Sequence, residues 1–323
     1  MNGLHIYGMP AAISEAEAVL CRSRLLRAVD ALREETGVDE VDIRITKAET
    51  VRRFAGRDEL SVGERAERYT ATDPLWGMDR LIAPGSLLDE LDAVVRMAEL
   101  ESLVFDTWGM RAIEPFPRSV LNFHGPPGTG KTMAAHAVAS SLGRSIIAAS
   151  YADIESRYHG DGPKNVEALF FAAQRDNAVL FIDEADSLLS KRLTNVTQGS
   201  EQAINSMRSQ LLICLERHRG VVIFATNLIE NYDAAFETRV RNIRFSLPDE
   251  EARAAIWRAH LPKQLPLADD VDIPHLAERS DGFCGREIKQ AVLDAVFRAA
   301  RRGCVACRED FVGAVERVAA NSR

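Results

Sequence analysis

The chain has 323 residues, 46% of them apolar and 27% charged, with a formal net charge of −8. That length suffices for two or three domains of about 100–200 residues, and the balance excludes collagen-like, coiled-coil and largely disordered chains. An acidic balance supplies no whole-chain field for nucleic acid or an anionic membrane, and five cysteines are too few for a disulfide scaffold and fit a reducing compartment.

The N-terminus has no cationic start, and Glu15 and Glu17 interrupt its mildly apolar stretch, so it does not read as a signal peptide. No uncharged run approaches the roughly 20 apolar residues of a membrane span. The expectation is a cytoplasmic protein without membrane contact. Ile13–Glu35 spaces Ala18, Leu25, Leu26, Val29 and Leu32 in a helical pattern. Gly37 stops it, and Val38–Ile45 alternates partly like a strand. Two short helical stretches follow at Lys47–Phe54 and Val62–Tyr69. Residues 1–72 can bury only a small core and read as a small α+β appendage.

After Asp73-Pro74 short apolar runs alternate with helical patterns. The runs are Val120–His124, Ser145–Ala149, Ala178–Ile182, Gly220–Ala225 and Asn242–Leu247; helices are predicted at Lys131–Leu142 and Pro163–Arg175. Such alternation implies an α/β fold, a mostly parallel five-stranded sheet with helices on both faces, over residues 73–248. From Asp249 onward only helical patterns remain, at Glu250–His260, Arg286–Ala300 and Arg308–Ala319. Residues 249–323 therefore read as a small all-helical lid.

One motif decides the class. Gly125-Pro126-Pro127-Gly128-Thr129-Gly130-Lys131-Thr132 fits the phosphate-loop pattern of glycine, four residues, glycine, lysine and a hydroxyl residue. Glycines let the backbone curl and aim N–H groups at phosphate oxygens. The helix opening at Lys131 offers its positive end to the same anion. Lys131 suits the β- and γ-phosphates, and Thr132 suits Mg²⁺. Chance supplies the bare pattern in about two such chains per thousand. Hydrolysis is suggested by Val179-Leu180-Phe181-Ile182-Asp183-Glu184. An apolar strand ending in two carboxylates puts both at the carboxyl edge of the sheet, where ligands of open α/β folds bind. Asp183 would hold Mg²⁺ and Glu184 would polarise the attacking water. Asn227 follows a further apolar strand; if that strand lies between the other two, Asn227 meets the γ-phosphate and the water.

These three motifs, in this order, resemble the AAA+ ATPases, the AAA clade proper, over about residues 74–320. Trp108-Gly109, Leu121–Gly125, Lys131-Thr132-Met133-Ala134-Ala135 and Asp183-Glu184-Ala185-Asp186 are similar to bacterial single-ring ATPases related to spastin and katanin. The resemblance implies a P-loop NTPase sheet in the order 5-1-4-3-2, ATP and Mg²⁺ as ligands, and a homo-oligomer, a ring of six with ATP between subunits. It adds Met133 to the nucleotide site and makes Tyr158, His159 and Gly160 a pore loop, whose aromatic would grip an extended polypeptide. It makes Arg239 the finger reaching a neighbour's γ-phosphate, with Arg241 as the alternative. Arg286 falls where other AAA+ branches carry a sensor arginine. Leu81 and Ile82 would border the base. Lys191–Ser200 would be a second pore loop. Residues 1–72 match no family domain and would dock a protein client or adaptor. The sequence departs from its relatives in Gly160-Asp161-Gly162-Pro163-Lys164-Asn165, where Gly-Glu-x-x-Lys-Asn is common.

Cys304-Val305-Ala306-Cys307 is a lone CxxC without a second pair or nearby histidines to complete a zinc site. Arg52-Arg53 and Arg301-Arg302 have no aromatic interleaving and read as solvated helix faces. The expected function is a Mg²⁺-dependent ATPase ring that remodels, unfolds or disassembles a protein client. The alternatives are a nucleic-acid motor or loader, and a nucleotide-dependent assembly scaffold.

Overall fold

The computed structural model describes residues 60–114, 119–155, 161–190, 199–227, 234–237 and 239–321. The elements expected before residue 60, Tyr158, His159 and Gly160, and most of the Lys191–Ser200 loop lie outside the described residues.

The first described helix is α1 (Val62–Ala66), opened by a reciprocal cap in which the Ser61 hydroxyl accepts from Glu64 N and the Glu64 carboxylate accepts from Ser61 N. The predicted stretch to Tyr69 stops early and finishes in turns. α2 (Gly85–Glu99) was not anticipated; Leu87, Leu91, Val94, Val95 and Ala98 recur at helical spacing along its buried side. A π-helical turn, Ser102–Thr107, follows.

The sheet domain then runs β1 (Ser119–His124), α3 (Lys131–Ser141), β2 (Ile146–Ser150), α4 (Tyr151–Ile154), α5 (Asp161–Arg175), β3 (Val179–Asp183), α6 (Asp186–Leu189), α7 (Gly199–Arg217), β4 (Val221–Thr226), α8 (Ala234–Glu237) and β5 (Arg241–Arg244), and of these helices only α3 and α5 were predicted. All strand pairs are parallel, in the order β2-β3-β4-β1-β5. Read from the other edge, this is the order the resemblance implied. Successive residues point to opposite faces. Val120, Leu180, Ile182, Val222 and Phe224 therefore meet α5 and α7 on one side. Leu121, Phe123, Phe181, Ile223 and Ala225 meet α2 and α3 on the other. Central β4 is buried along its whole length.

Strands β2, β3 and β4 each begin and end one residue later than the apolar runs predicted, reaching Ser150, Asp183 and Thr226. Hydrogen bonding in the ladder continues past the last apolar side chain because it uses only backbone groups. β5 stops at Arg244, short of the predicted Leu247, although Phe245 N still donates to His124 O at 2.8 Å.

Contacts to β2 and α5 are among those that fasten the segment before the sheet. Thr72 forms an antiparallel bridge to Ile146 on edge strand β2, with N–H···O distances of 2.9 and 2.8 Å. Arg65 is buried and reaches Asp161 at 2.8 Å and Asn165 Oδ1 at 3.0 Å; Asn165 Nδ2 donates in turn to Ile154 O at 3.0 Å. The departure at Asp161 thus coincides with an ion pair to α1.

The helical region comprises α9 (Glu250–His260), α10 (Ile273–Arg279), α11 (Gly285–Arg302) and α12 (Arg308–Asn321). α10 was not predicted. The apolar stripes of these helices converge on Trp257, which is 0% exposed, stacks edge-on to Phe311 and donates its indole N–H to Ser280 Oγ at 3.0 Å. Neighbouring residues serve two cores: Leu81 packs with α2 and α3, whereas Ile82 packs with the helical cluster.

Candidate functional site

Because β1, β3 and β4 run parallel and adjacent, their carboxyl ends bring Gly125, Asp183 and Asn227 to one edge. β4 does lie between β1 and β3, which meets the condition set for Asn227. The loop from Gly125 to Gly130 leaves β1 and turns into α3.

Two glycines in this loop are required by close packing as well as by backbone angle. Gly125 has φ 142°, and a Cβ there would lie 2.0 Å from the Phe245 carbonyl oxygen. Gly128 has φ 76°, and a Cβ there would lie 2.6 Å from Cys284 Sγ and 2.9 Å from Arg286 Cβ. Beyond letting backbone N–H groups face an anion, the second of these glycines also lets the helical region approach the loop. Thr129 Oγ1 donates to Pro126 O at 2.9 Å and holds the turn, while Pro127 is exposed. Met133 is partly buried and packs on the α2–α3 side of the core.

Lys131 is 8% exposed. Its ammonium donates to Gly125 O at 2.7 Å, Pro126 O at 2.9 Å and Asn227 Oδ1 at 2.9 Å. Burial lowers its pKa; the carboxylates of Asp183 and Asp186 oppose that shift, and the Arg286 guanidinium adds to it. His124, just before the loop, is likewise pushed down by burial, then by Arg244 and Lys131.

Thr132 Oγ1 donates to Asp183 Oδ2 at 3.4 Å. Glu184 is exposed and adopts φ 52°, in the left-handed region that costs a non-glycine residue about 1–2 kcal/mol. Its N–H donates to Asp183 Oδ1 at 2.9 Å. The sharp turn separates the two carboxylates in direction, one held beside Thr132 and the other free in solvent.

Asp186, the first residue of α6, was quoted in the sequence without a role. Its Oδ1 accepts from the Thr226 hydroxyl and, at 3.1 Å, from Asn227 N. The signal that could have found it is an acid two residues beyond the acidic pair, opening a helix. Cys284 and Glu216 were also missed.

Arg239 lies between α8 and β5. Its guanidinium donates to Ala235 O at 2.7 Å and to Glu216 Oε1 on α7 at 2.9 Å. Arg241 is exposed and its guanidinium lies 3.8 Å from Met97 Sδ. Arg286 stands in the first turn of α11, against Gly128. Tyr158, His159 and Gly160 lie outside the described residues.

A triphosphate with a divalent cation fits this donor set. Thr132 and Asp183 offer adjacent hard oxygens of the type Mg²⁺ prefers, in a site where substrate phosphates usually complete the shell. Among the described residues no group of three or more His, Cys, Asp or Glu side chains is arranged to hold a metal by itself, and no helix is long and apolar enough to cross a membrane.

Comparison with known proteins agrees with this geometry. The ATPase family associated with various cellular activities (AAA) matches residues 121–247, and the AAA+ lid domain matches residues 270–312. The chain is similar to Protein CdcH of Halobacterium salinarum, 34% identical over 257 residues, which are 72% of this chain and 34% of that protein. It is similar to the katanin p60 ATPase-containing subunit A1 of Strongylocentrotus purpuratus, 39% identical over 192 residues, 55% of this chain and 36% of that protein. A proteasome-activating nucleotidase of Methanopyrus kandleri is 32% identical over 255 residues, 76% of this chain and 56% of that protein. The matches to CdcH and katanin thus span about a third of those relatives.

Proposed function

The chain belongs to the AAA family of ATPases, and from that premise we propose that it binds MgATP at the 125–132 loop, hydrolyses it, and works as a ring of six copies that remodels a protein client. The observation that carries the reading is the meeting of Lys131, Thr132, Asp183, Glu184 and Asn227 at one sheet edge. Mg²⁺, held by Thr132 and Asp183, neutralises phosphate charge when bound. The Lys131 ammonium exchanges its carbonyl partners at Gly125 and Pro126 for phosphate oxygens. Glu184, exposed in this turn, orients the attacking water, and Asn227 holds that water against the γ-phosphate. Preorganised charge of this kind supplies most of the rate in such sites.

Arg239, entering from a second copy, stabilises charge on the transferring phosphoryl group; fingers of this type contribute about 10³–10⁵ in rate. Its pairing with Glu216 within one chain gives it a resting partner. Arg286 stands by the same loop in cis. Tyr158, His159 and Gly160 grip polypeptide in the pore, and residues 1–72 dock the client or adaptor. The domain division at residues 72 and 248 belongs to the same proposal. The acidic net charge favours a protein client over a nucleic acid.

The test is Glu184→Gln beside Lys131→Ala. Glu184→Gln should bind ATP within about 3-fold of wild type while turnover falls at least about 100-fold. Lys131→Ala should lose binding itself. Hydrolysis by Lys131→Ala at the wild-type rate overturns the reading. Stimulation by DNA, with none by polypeptide and no loss in Tyr158→Ala, replaces the protein client with a nucleic acid.

A further inference from the structure

Three acidic residues, the last of β3 and two beyond it, fall within four positions, and the proposed mechanism uses two of them. Asp183 stands by Thr132, and Glu184 turns to solvent. The third, Asp186, reaches across to the end of β4. One oxygen, Oδ1, accepts from the Thr226 hydroxyl and from Asn227 N. The backbone reinforces this crossing, since Ala185 N donates to Ala225 O at 3.0 Å. Thr226 is 1% exposed, so its hydroxyl has no water to turn to and must find its acceptor within the protein.

The consequence runs outward from there. Asn227 is the first residue beyond β4 and is exposed; a residue in that position is held by whatever fixes its backbone. Its Oδ1 accepts from Lys131 Nζ, and Lys131 binds the Gly125 and Pro126 carbonyls. A continuous path of hydrogen bonds therefore joins the acidic turn after β3 to the phosphate loop after β1, and Asp186 is where it begins.

We propose that Asp186 is a positioning residue for hydrolysis: its Oδ1, shared by Thr226 and Asn227, sets the Asn227 carboxamide in register with Glu184 and Lys131. The inference rests on the reading of Asn227 given above. For holding Asn227 it requires an acceptor oxygen at one place rather than a negative charge, because the two donors on Oδ1, the Thr226 hydroxyl and Asn227 N, are neutral.

That distinction gives the test. Asp186→Asn keeps an acceptor oxygen in place and removes the charge. Asp186→Glu keeps the charge and displaces the oxygen by about 1.5 Å, one methylene. Full-length protein of each variant is assayed for kcat and KM, for the Kd of a fluorescent ATP analogue, and for thermal unfolding. Asp186→Asn should keep kcat within about 3-fold of wild type. Asp186→Glu should lose about 10- to 100-fold in kcat, the size of effect a misplaced catalytic group produces, with Kd within about 3-fold and an unfolding temperature near that of wild type. On an Asn227→Ala background, Asp186→Glu should cost less than about 2-fold, because its target is gone. The reverse order, with Asn inactive and Glu active, overturns the inference, as does an equal loss in both backgrounds. If Asn227→Ala alone turns over at the wild-type rate, the reading of Asn227 falls and takes the inference with it; if Asn227→Ala is impaired and the order is reversed, only the inference falls.

Discussion

Trp257 occupies the middle of the helical region much as Phe224 occupies the middle of the sheet domain, and both are fully buried, yet the two surroundings have different outcomes. Around Phe224 the chain runs in parallel strands, so every strand delivers its next residue to the same edge. The polar residues at the strand ends, Asp183, Glu184 and Asn227, therefore gather at that edge. Around Trp257 the packed elements are helices, which turn apolar faces to one cluster and have no sheet edge to align the residues that follow them. The helical region supplies the site with a single first turn, Cys284 to Arg286, set against Gly128. Topology, rather than the amount of core, decides which region collects chemistry.

The largest expected effect breaks a contact between the two regions. Gly128→Ala would force a Cβ against Cys284 Sγ and Arg286 Cβ, and hydrolysis should fall about 10-fold or more. Gly303→Ala is the matched control. Gly303 ends α11 with φ 68° and has nothing within 4 Å of a new Cβ, so it carries the left-handed penalty of about 1 kcal/mol without the collision. Its hydrolysis should stay within about 2-fold, and equal losses in the two variants would mean that the contact does not matter.

A second effect separates the regions by pH. His218, at the end of α7, is 5% exposed and stands edge-on to Phe170, and neither ring nitrogen has a hydrogen-bond partner among the described residues. Burial, with a smaller contribution from Arg144, pushes its pKa down to about 4, against about 6.5 in an unfolded chain. The folded state thus prefers the neutral ring. Its contribution is fully present above pH 6.5 and is lost as pH falls from 6.5 toward 4, about 2 kcal/mol by pH 5. Thermal unfolding at pH 5 and 7.5 should show this loss in wild type and a smaller one in His218→Leu. An unchanged pH dependence in the variant would assign the effect to other groups.

The smallest effect confines itself to the helical region. Ser280→Ala leaves the buried Trp257 indole N–H without its acceptor, which costs about 1–2 kcal/mol. Unfolding should shift down by several degrees while ATP turnover at 25 °C changes less than about 2-fold. A loss of turnover as large as that of Gly128→Ala would show that the two regions do not act separately.

The letters carried the site further than they carried the scaffold. Lys131 and Thr132 were legible from the spacing of the phosphate loop, and Asp183, Glu184 and Asn227 because each is a polar residue at the end of an apolar run, and sheet order brings such ends together. Helices α2, α7 and α10 were not legible. In α2, Asp89, Glu90, Asp92 and Arg96 interrupt Leu87, Leu91 and Val94, and the stripe becomes clear only against the core it covers. Strand ends were displaced by one residue because side-chain polarity, and not the backbone ladder, marks them in the sequence. Asp186 escaped because its partner Thr226 lies forty positions away. The closeness of Gly128 to Cys284 escaped for the same reason, since distance along the chain hides every contact between regions.

The bridge from Thr72 to Ile146 has a consequence for how the protein is handled. β2 is the outer strand of the sheet on that side, and a bare outer strand is a template for pairing with other molecules. Thr72 occupies part of that margin with two backbone hydrogen bonds. A shortened protein beginning at the inviting Asp73-Pro74 juncture would discard this cover, along with the Arg65 anchor, and present Ile146 and its neighbours to solution. Shortened forms intended to stay dispersed should begin upstream of Ser61.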